Sequence, residues 1–251
     1  AEAGEVAEVP IEAMIEREPI TVVCSKMGWI RAMKGHIDLG TEMKFRDGDE
    51  GRFLFHAETT DKLLVFSSAG RFYTLSAAGL PGGRGLGEPL RLMVDLPNEA
   101  EIVTLFTHRA DGKLLVASSA GDGFLVAEAD VVAQTRAGKQ VLNLGAGVTA
   151  QVCVAVAAGD DAIAVVGENR KLLVFAMDEL PEMGRGKGVR LQKYKDGGLA
   201  DARSFARAAG LSWLDPAGRT RTEADLAEWD GKRASAGRMA PRGFPRDNRF
   251  T

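Results

Sequence analysis

Cysteine is scarce: the 251 residues include two, Cys24 and Cys153, far apart and with no CxxC and no histidine nearby. Each lies inside a β-like apolar run, so two buried free thiols are expected in place of a disulfide or metal site. Long apolar runs are missing as well. The longest, around Val152 to Ala158, falls far short of the roughly 20 residues that a membrane-spanning helix needs. The first 18 residues hold six acids against Arg17 alone. With neither a basic head nor an apolar stretch they do not read as a secretory signal, and a cytoplasmic location is the expectation. Aromatics make up 6%, which argues against rows of base-stacking platforms of the kind that hold single strands. There is no P-loop lysine motif, and His36, His56 and His108 have neither metal spacing nor a nucleophile partner.

Charge is present but unevenly spread. The formal charge is -3, yet residues 1-18 and residues 19-183 each carry -5, whereas residues 184-251 hold 15 Lys and Arg against 8 Asp and Glu, a surplus of +7. A near-neutral average thus conceals a cationic last quarter.

The organising signal is internal repetition. The segments 20-33, 62-75, 113-126, 161-174 and 210-223 align, each a short β-rich run, a small or polar turn, a pivot residue and a second run. The pivots are Gly28, Gly70, Gly121, Asn169 and Gly218. A tight hairpin needs positive φ there, which glycine adopts freely and asparagine tolerates. Five hairpins are predicted. A second landmark follows the last four pivots by about ten residues, at Leu80-Pro81, Val132, Leu180-Pro181 and Trp229, and just beyond it lies a glycine with basic neighbours: GGRGLG (82-87), RAGK (136-139), GRGKG (184-188) and AGR (236-238). The first repeat has only Lys34-Gly35-His36. Further strands are predicted at 91-94 and 102-106, giving about four strands per repeat and an all-β, five-bladed, propeller-like fold over 19-240. Residues 1-18 read as an acidic linker or peripheral segment and 241-251 as a basic flexible tail outside the core. The stretch 195-209 reads as a short helix or loop.

Self-contained catalysis finds little support. Gly145-Ala-Gly147-Val-Thr-Ala150 follows a strand as a dinucleotide fingerprint would, but the next residues look like another strand, leaving no helix to receive a pyrophosphate. Asp47, Asp49, Glu50, Asp160 and Asp161 sit between strands as turn acids. No repeat contributes inward acids or histidines at a matching position. The cations, in contrast, recur with the blades: Arg31, Lys34, Arg71, Arg84, Arg136, Lys139, Arg170, Lys171, Arg185, Lys187, Arg219, Arg221 and Arg238. Equivalent positions in a disc fall near one rim, and a cationic rim neutralises successive phosphates of one duplex while glycines let backbone amides approach them. Duplex DNA is the expected ligand; a protein-binding propeller is the alternative.

The runs EPITVVCSKMGWIRAMKGH (18-36), GRFYTL with LPGGRGLGEPL (80-90), KLLVASSAGDGF (113-124), RAGKQVLNL (136-144) and LPEMGRGKG (180-188) resemble the C-terminal domain of the A subunit (ParC) of bacterial topoisomerase IV. The resemblance implies a β-pinwheel whose blades exchange strands and which binds and bends duplex DNA along a basic perimeter. It further implies that the partners are duplex DNA, the rest of the A subunit and the B subunit (ParE), with a chromosome-organising complex as a further candidate. It also implies a nucleoid-associated location and an enzyme whose ATP and magnesium belong elsewhere, leaving no cofactor in this domain. The catalytic tyrosine of such enzymes lies in a preceding region, and neither Tyr73 nor Tyr194 has its context. The related gyrase domain carries a Gln-Arg-Arg-Gly-Gly-Arg/Lys-Gly box in the first-blade loop; here that loop is cut to Lys34-Gly35-His36, which counts against gyrase-type wrapping and leaves it as an alternative reading.

Overall fold

The computed structural model describes residues 14-251; most of the acidic 1-18 segment therefore lies outside the described residues. Four sheets have four antiparallel strands each. The first contains β1 (Pro19–Ser25), β2 (Trp29–Lys34), β3 (Gly51–Glu58) and β6 (Glu88–Pro89). The second contains β4 (Lys62–Ser67), β5 (Arg71–Ser76), β7 (Ile102–Thr107) and β10 (Lys139–Gln140). In the third are β8 (Lys113–Ser118), β9 (Asp122–Ala127), β11 (Ala150–Val156) and β14 (Val189–Arg190). The fourth has β12 (Ala162–Gly167), β13 (Lys171–Ala176), β15 (Leu199–Phe205) and β18 (Arg238–Met239). A fifth sheet has only β16 (Leu211–Leu214) and β17 (Thr220–Glu223), short of the four strands expected.

Each four-stranded sheet is a hairpin flanked by an inner strand from its own repeat and a two-residue outer strand donated by the next repeat. Thus β6 follows β5 in sequence but pairs with β2, Trp29 opposite Pro89 and Ile30 opposite Glu88. β10, β14 and β18 pair in the same way with β5, β9 and β13. The landmarks read from sequence mark the crossing. Ala32 N–H donates to Pro81 O (2.8 Å), Leu125 N–H to Pro181 O (3.0 Å) and Val174 N–H to Trp229 O (2.9 Å). At Val132 the next residue, Ala133, donates to Thr74 Oγ1 instead (2.9 Å). Residues 91-94 are not a strand: Leu90–Leu92 form a turn of 3-10 helix just after Pro89, and the sheet takes its outer strand from Glu88–Pro89.

The hairpin strands read as unbroken apolar runs because both of their faces are buried. Leu63 and Val65 pack with Val22, Ile30 and Leu105 between the first two sheets. Their neighbours Leu64 and Phe66 point the other way, packing with Leu114, Val116 and Phe124 between the second and third. Leu115 and Ala117 meet Ile163 and Val165 in the next layer. Complete burial of one such Leu or Val is worth about 1.5–3 kcal/mol. Cys24 and Cys153 are buried free thiols, and burial pushes the Cys24 thiol up to about 12.

Three further expectations change. The fourth pivot is Arg170, not Asn169: Arg170 has φ 65° and its N–H donates to Gly167 O (2.9 Å), as Gly28, Gly70 and Gly121 donate to Ser25, Ser67 and Ser118. Asn169 instead accepts the Lys171 N–H through Oδ1 (3.0 Å). The 195-209 stretch supplies β15, whose pairing with β12 overrides its weak intrinsic strand preference. Residues 241-251 are not a tail outside the core. Phe244 and Phe250 are buried, packed with Trp213, Leu226 and Trp229, and Leu214 N–H of β16 donates to Phe250 O (3.0 Å). Two spaced aromatics inside a basic, proline-broken stretch were enough to seal the last layer.

Candidate nucleic-acid interface

Strand exchange places the glycine-rich basic loops on the outer edges of successive sheets. The glycine before each donated strand has positive φ: Gly87 (85°), Gly138 (71°), Gly188 (84°) and Gly237 (80°). A Cβ at any of the four would overlap a backbone carbonyl oxygen of the receiving strand, namely Ile30, Phe72, Gly123 or Leu172. These glycines therefore serve the approach of chain to chain across the blades. Gly82 and Gly184, by contrast, face open space.

The thirteen cations picked out by sequence divide by position. Those in the donated loops, Arg84, Arg136, Lys139, Arg185, Lys187 and Arg238, are exposed on outer edges. Arg136 is engaged there by Asp95 (3.5 Å) and Leu92 O (2.9 Å). Lys34 is exposed at the end of β2 and Lys171 half-buried on β13.

Several cations on or beside the hairpins have other work. Arg31 is buried, 4% exposed; its Nη1 donates to Gly85 O (2.9 Å) and its Nη2 to Lys44 O (2.8 Å). It cannot meet a phosphate without abandoning both loops. Arg71 grips the carbonyls of Ala137 and Gly138 in the next donated loop. In the third sheet the polarity reverses: Asp122 of β9 faces Arg190 (3.6 Å) and Lys187 (3.9 Å) of the incoming segment. Arg170 turns toward the C-terminal segment, bonding Pro245 O (2.8 Å), Phe244 O (3.0 Å) and Asn248 Oδ1 (2.9 Å). In the fifth sheet Arg219 is exposed, and Arg221 Nε pairs with Asp215 (3.0 Å). A post-pivot position lies against the donated strand, so a long guanidinium there satisfies carbonyls at the seam.

Sequence reading passed over Arg190, Lys193, Lys195 and Lys232, all exposed on or beside donated segments. Their signal is the +7 surplus of residues 184-251, most of which lies outside the glycine motifs.

The remaining polar groups are structural. Asp49 Oδ1 accepts the N–H groups of Met27 (3.0 Å) and Glu50 (2.9 Å). Asp160 Oδ2 accepts from Ala157 N–H (2.9 Å) and Ser204 Oγ (2.6 Å), and Asp161 Oδ1 from Arg207 N–H (2.8 Å). His108 Nδ1 lies 3.0 Å from the buried Glu128 carboxylate. Gly145 to Thr149 leads straight into β11, a strand and not a helix. Burial pushes both tyrosine hydroxyls, Tyr73 and Tyr194, above the usual range, which opposes formation of a phenolate nucleophile. No helix of the described residues is long and apolar enough to cross a membrane.

This architecture matches known proteins. The family described as DNA gyrase C-terminal domain, beta-propeller, matches residues 61–109, 112–150 and 161–200. The A subunit of DNA topoisomerase 4 from Caulobacter vibrioides is 51% identical over 244 residues, 97% of this chain and 32% of that protein. Its counterpart in Rickettsia bellii is 46% identical over 243 residues, with the same coverage. The chain thus spans about a third of the length of these relatives. The solved E. coli ParC C-terminal domain superposes with a TM-score of 0.78 at 29% identity, covering 91% of this chain and 96% of that one. A DNA gyrase A C-terminal domain shares the fold at a TM-score of 0.63 and 20% identity, covering 88% and 76%. With its repeats, exchanged strands and sequence all in agreement, the chain belongs to the β-propeller family of the DNA gyrase C-terminal domain.

Proposed function

We propose that this domain is a non-catalytic clamp for duplex DNA within a topoisomerase IV A subunit, bending the bound helix along a cationic perimeter. The observation that carries the reading is the recurrence of exposed cations on donated loops at the outer edges of four consecutive sheets: Arg84, then Arg136 and Lys139, then Arg185 and Lys187, then Arg238. Contacts of this kind neutralise phosphates without reading bases, and a curved row of them favours a bent path. The aromatics support a duplex over a single strand. Trp213 and Trp229 are buried, and the Arg46 guanidinium covers one face of the Trp29 ring at 4.1 Å, so the tryptophans form no row of open stacking platforms.

Held this way, a duplex segment is presented to the gate of the full enzyme, and unequal affinity for different crossing geometries biases it toward positive supercoils and catenanes. Cleavage, ATP, magnesium and the B subunit (ParE) belong to the larger assembly, and a nucleoid-associated location follows from the ligand. Gyrase-type wrapping is not part of the reading, because the first loop lacks the basic box.

Fluorescence anisotropy with a short labelled duplex tests the proposal. Log K falls against log salt by roughly 0.9 for each phosphate neutralised, so about five contacts give a slope near -4.5. A flat response removes the reading. In the full enzyme, loss of the perimeter charges slows relaxation of positive supercoils more than of negative ones.

A further inference from the structure

We infer that duplex binding is concentrated at the junction of the third and fourth sheets, on a patch assembled from two donated segments, 185-195 and 232-238. This rests on the duplex-binding reading and says where on the perimeter the affinity resides.

Strand exchange shifts charge backward by one sheet. The cations of the fourth repeat ride on β14 to the edge of the third sheet, and those of the fifth repeat ride on β18 to the edge of the fourth. The two segments then run side by side. Ala234 N–H donates to Leu191 O (2.9 Å), Lys193 N–H to Ser235 O (3.0 Å) and Arg233 Nη1 to Arg190 O (2.8 Å). Beneath them Gln192, fully buried, donates through Nε2 to Lys171 O (2.9 Å) and Ala236 O (3.0 Å), tying both segments to β13. Stretches remote in sequence become one surface with a fixed backbone.

Within the two segments the charge is of one sign, with Glu179 Oε1 accepting the Arg233 N–H (3.1 Å) and Asp196 following Lys195 at their edges. Residues 185-195 carry five cations and residues 232-238 three, with no acid in either. Arg185, Lys193, Lys195, Lys232 and Arg238 are exposed and form no ion pair among the described residues. Only Lys187 and Arg190 share a carboxylate, that of Asp122. The donated segments of the first two sheets carry fewer cations: Arg84 in one, and in the other Lys139 with Arg136, which is paired with Asp95. Unpaired like charges held together raise the local potential, and a polyanion relieves their repulsion while releasing its own counterions. Because the backbone beneath the side chains is already fastened, binding orders little more than the side chains themselves.

Two triple variants of the 251-residue chain test this by anisotropy with a labelled duplex. Lys193→Glu/Lys195→Glu/Lys232→Glu alters the junction, and Lys34→Glu/Arg84→Glu/Lys139→Glu alters the first two sheets. The junction variant is expected to bind at least tenfold more weakly, with a salt slope shallower by about 2 to 3, and the other variant to lose no more than about threefold. Equal losses, or the reverse order, overturn the inference. Lys→Gln and Arg→Gln versions of both sets, checked by circular dichroism melts, keep the comparison readable if a charge-reversed chain fails to fold. A wild-type chain without salt-sensitive duplex binding would instead remove the duplex reading itself.

Discussion

Arg170 and Asn248 both hold left-handed backbone, with φ 65° and 58°, and Arg170 Nη1 lies 2.9 Å from Asn248 Oδ1. The pivot that is glycine in the other four hairpins is here the residue that fastens the C-terminal segment to the fourth sheet. Left-handed backbone costs an L-residue roughly 1–2 kcal/mol. Three hydrogen bonds from a charged donor, each worth about 1.5–3 kcal/mol, offset it. A cation that sequence placed on a DNA track is in fact a fastening.

Arg170→Ala is therefore expected to destabilise the chain by about 2–4 kcal/mol, since it strands the carbonyls of Phe244 and Pro245 while keeping the unfavourable φ. Arg170→Gly relieves the φ and loses the same bonds, so it should fall between Ala and wild type in urea unfolding. If Gly and Ala are equally damaging, the backbone strain contributes nothing.

Replacing Arg31 distinguishes a clamp from a phosphate contact. Arg31→Leu leaves Gly85 O and Lys44 O without their donor and should cost about 1–3 kcal/mol of stability, while the salt slope of duplex binding by the folded variant stays that of wild type. A slope shallower by about 0.9 would return Arg31 to the interface.

The seam glycines make a paired test. Gly188→Ala combines positive φ with an overlap on the Gly123 carbonyl and should cost about 2–4 kcal/mol. Gly184→Ala, four residues earlier in the same basic loop and facing open space, should change stability by no more than about 0.5 kcal/mol. Denaturant midpoints with unchanged m-values would separate them.

Acid should loosen the fifth hairpin. The Arg219 backbone N–H, helped by the Arg221 side chain, holds the Asp215 carboxyl below its ordinary value of 3.8. A carboxyl lowered in the folded state stabilises fully above its unfolded value and loses that contribution as pH falls through 3.8 toward the folded value. Amide exchange at Arg219 and Ala217, each rate divided by its intrinsic value at that pH and followed from pH 6 to pH 3, should accelerate below about pH 4, and the acceleration should vanish in Asp215→Asn. Exchange that rises equally in both would place the acid sensitivity elsewhere.

The hairpins were legible because each is local. Ser25 to Gly28, Ser67 to Gly70 and Ser118 to Gly121 close the same turn from adjacent residues, and the apolar runs beside them needed only neighbours on both faces. The fourth pivot was misplaced by one residue because asparagine is the commoner left-handed residue, and what makes Arg170 tolerable lies more than 70 residues away at Phe244 to Asn248. Leu199–Phe205 was unreadable as a strand for the same reason: Ala, Asp, Arg and Ser carry little strand preference, and β12 imposes the pairing.

Sequence alone determined the repeat, its turn chemistry, the two buried thiols and the concentration of positive charge after residue 183. Those properties reside in composition and in contacts between near neighbours. Tertiary structure decided which sheet each outer strand completes, and hence that Arg31, Arg71 and Arg170 face seams while Lys193 and Lys232 stand together in solvent. A two-residue strand such as Val189–Arg190 is too short to announce its partner. The glycine before it permits the close approach to the receiving carbonyl, and contacts on either side, Leu125 N–H to Pro181 O and Leu191 N–H to Gly121 O, place it on that edge.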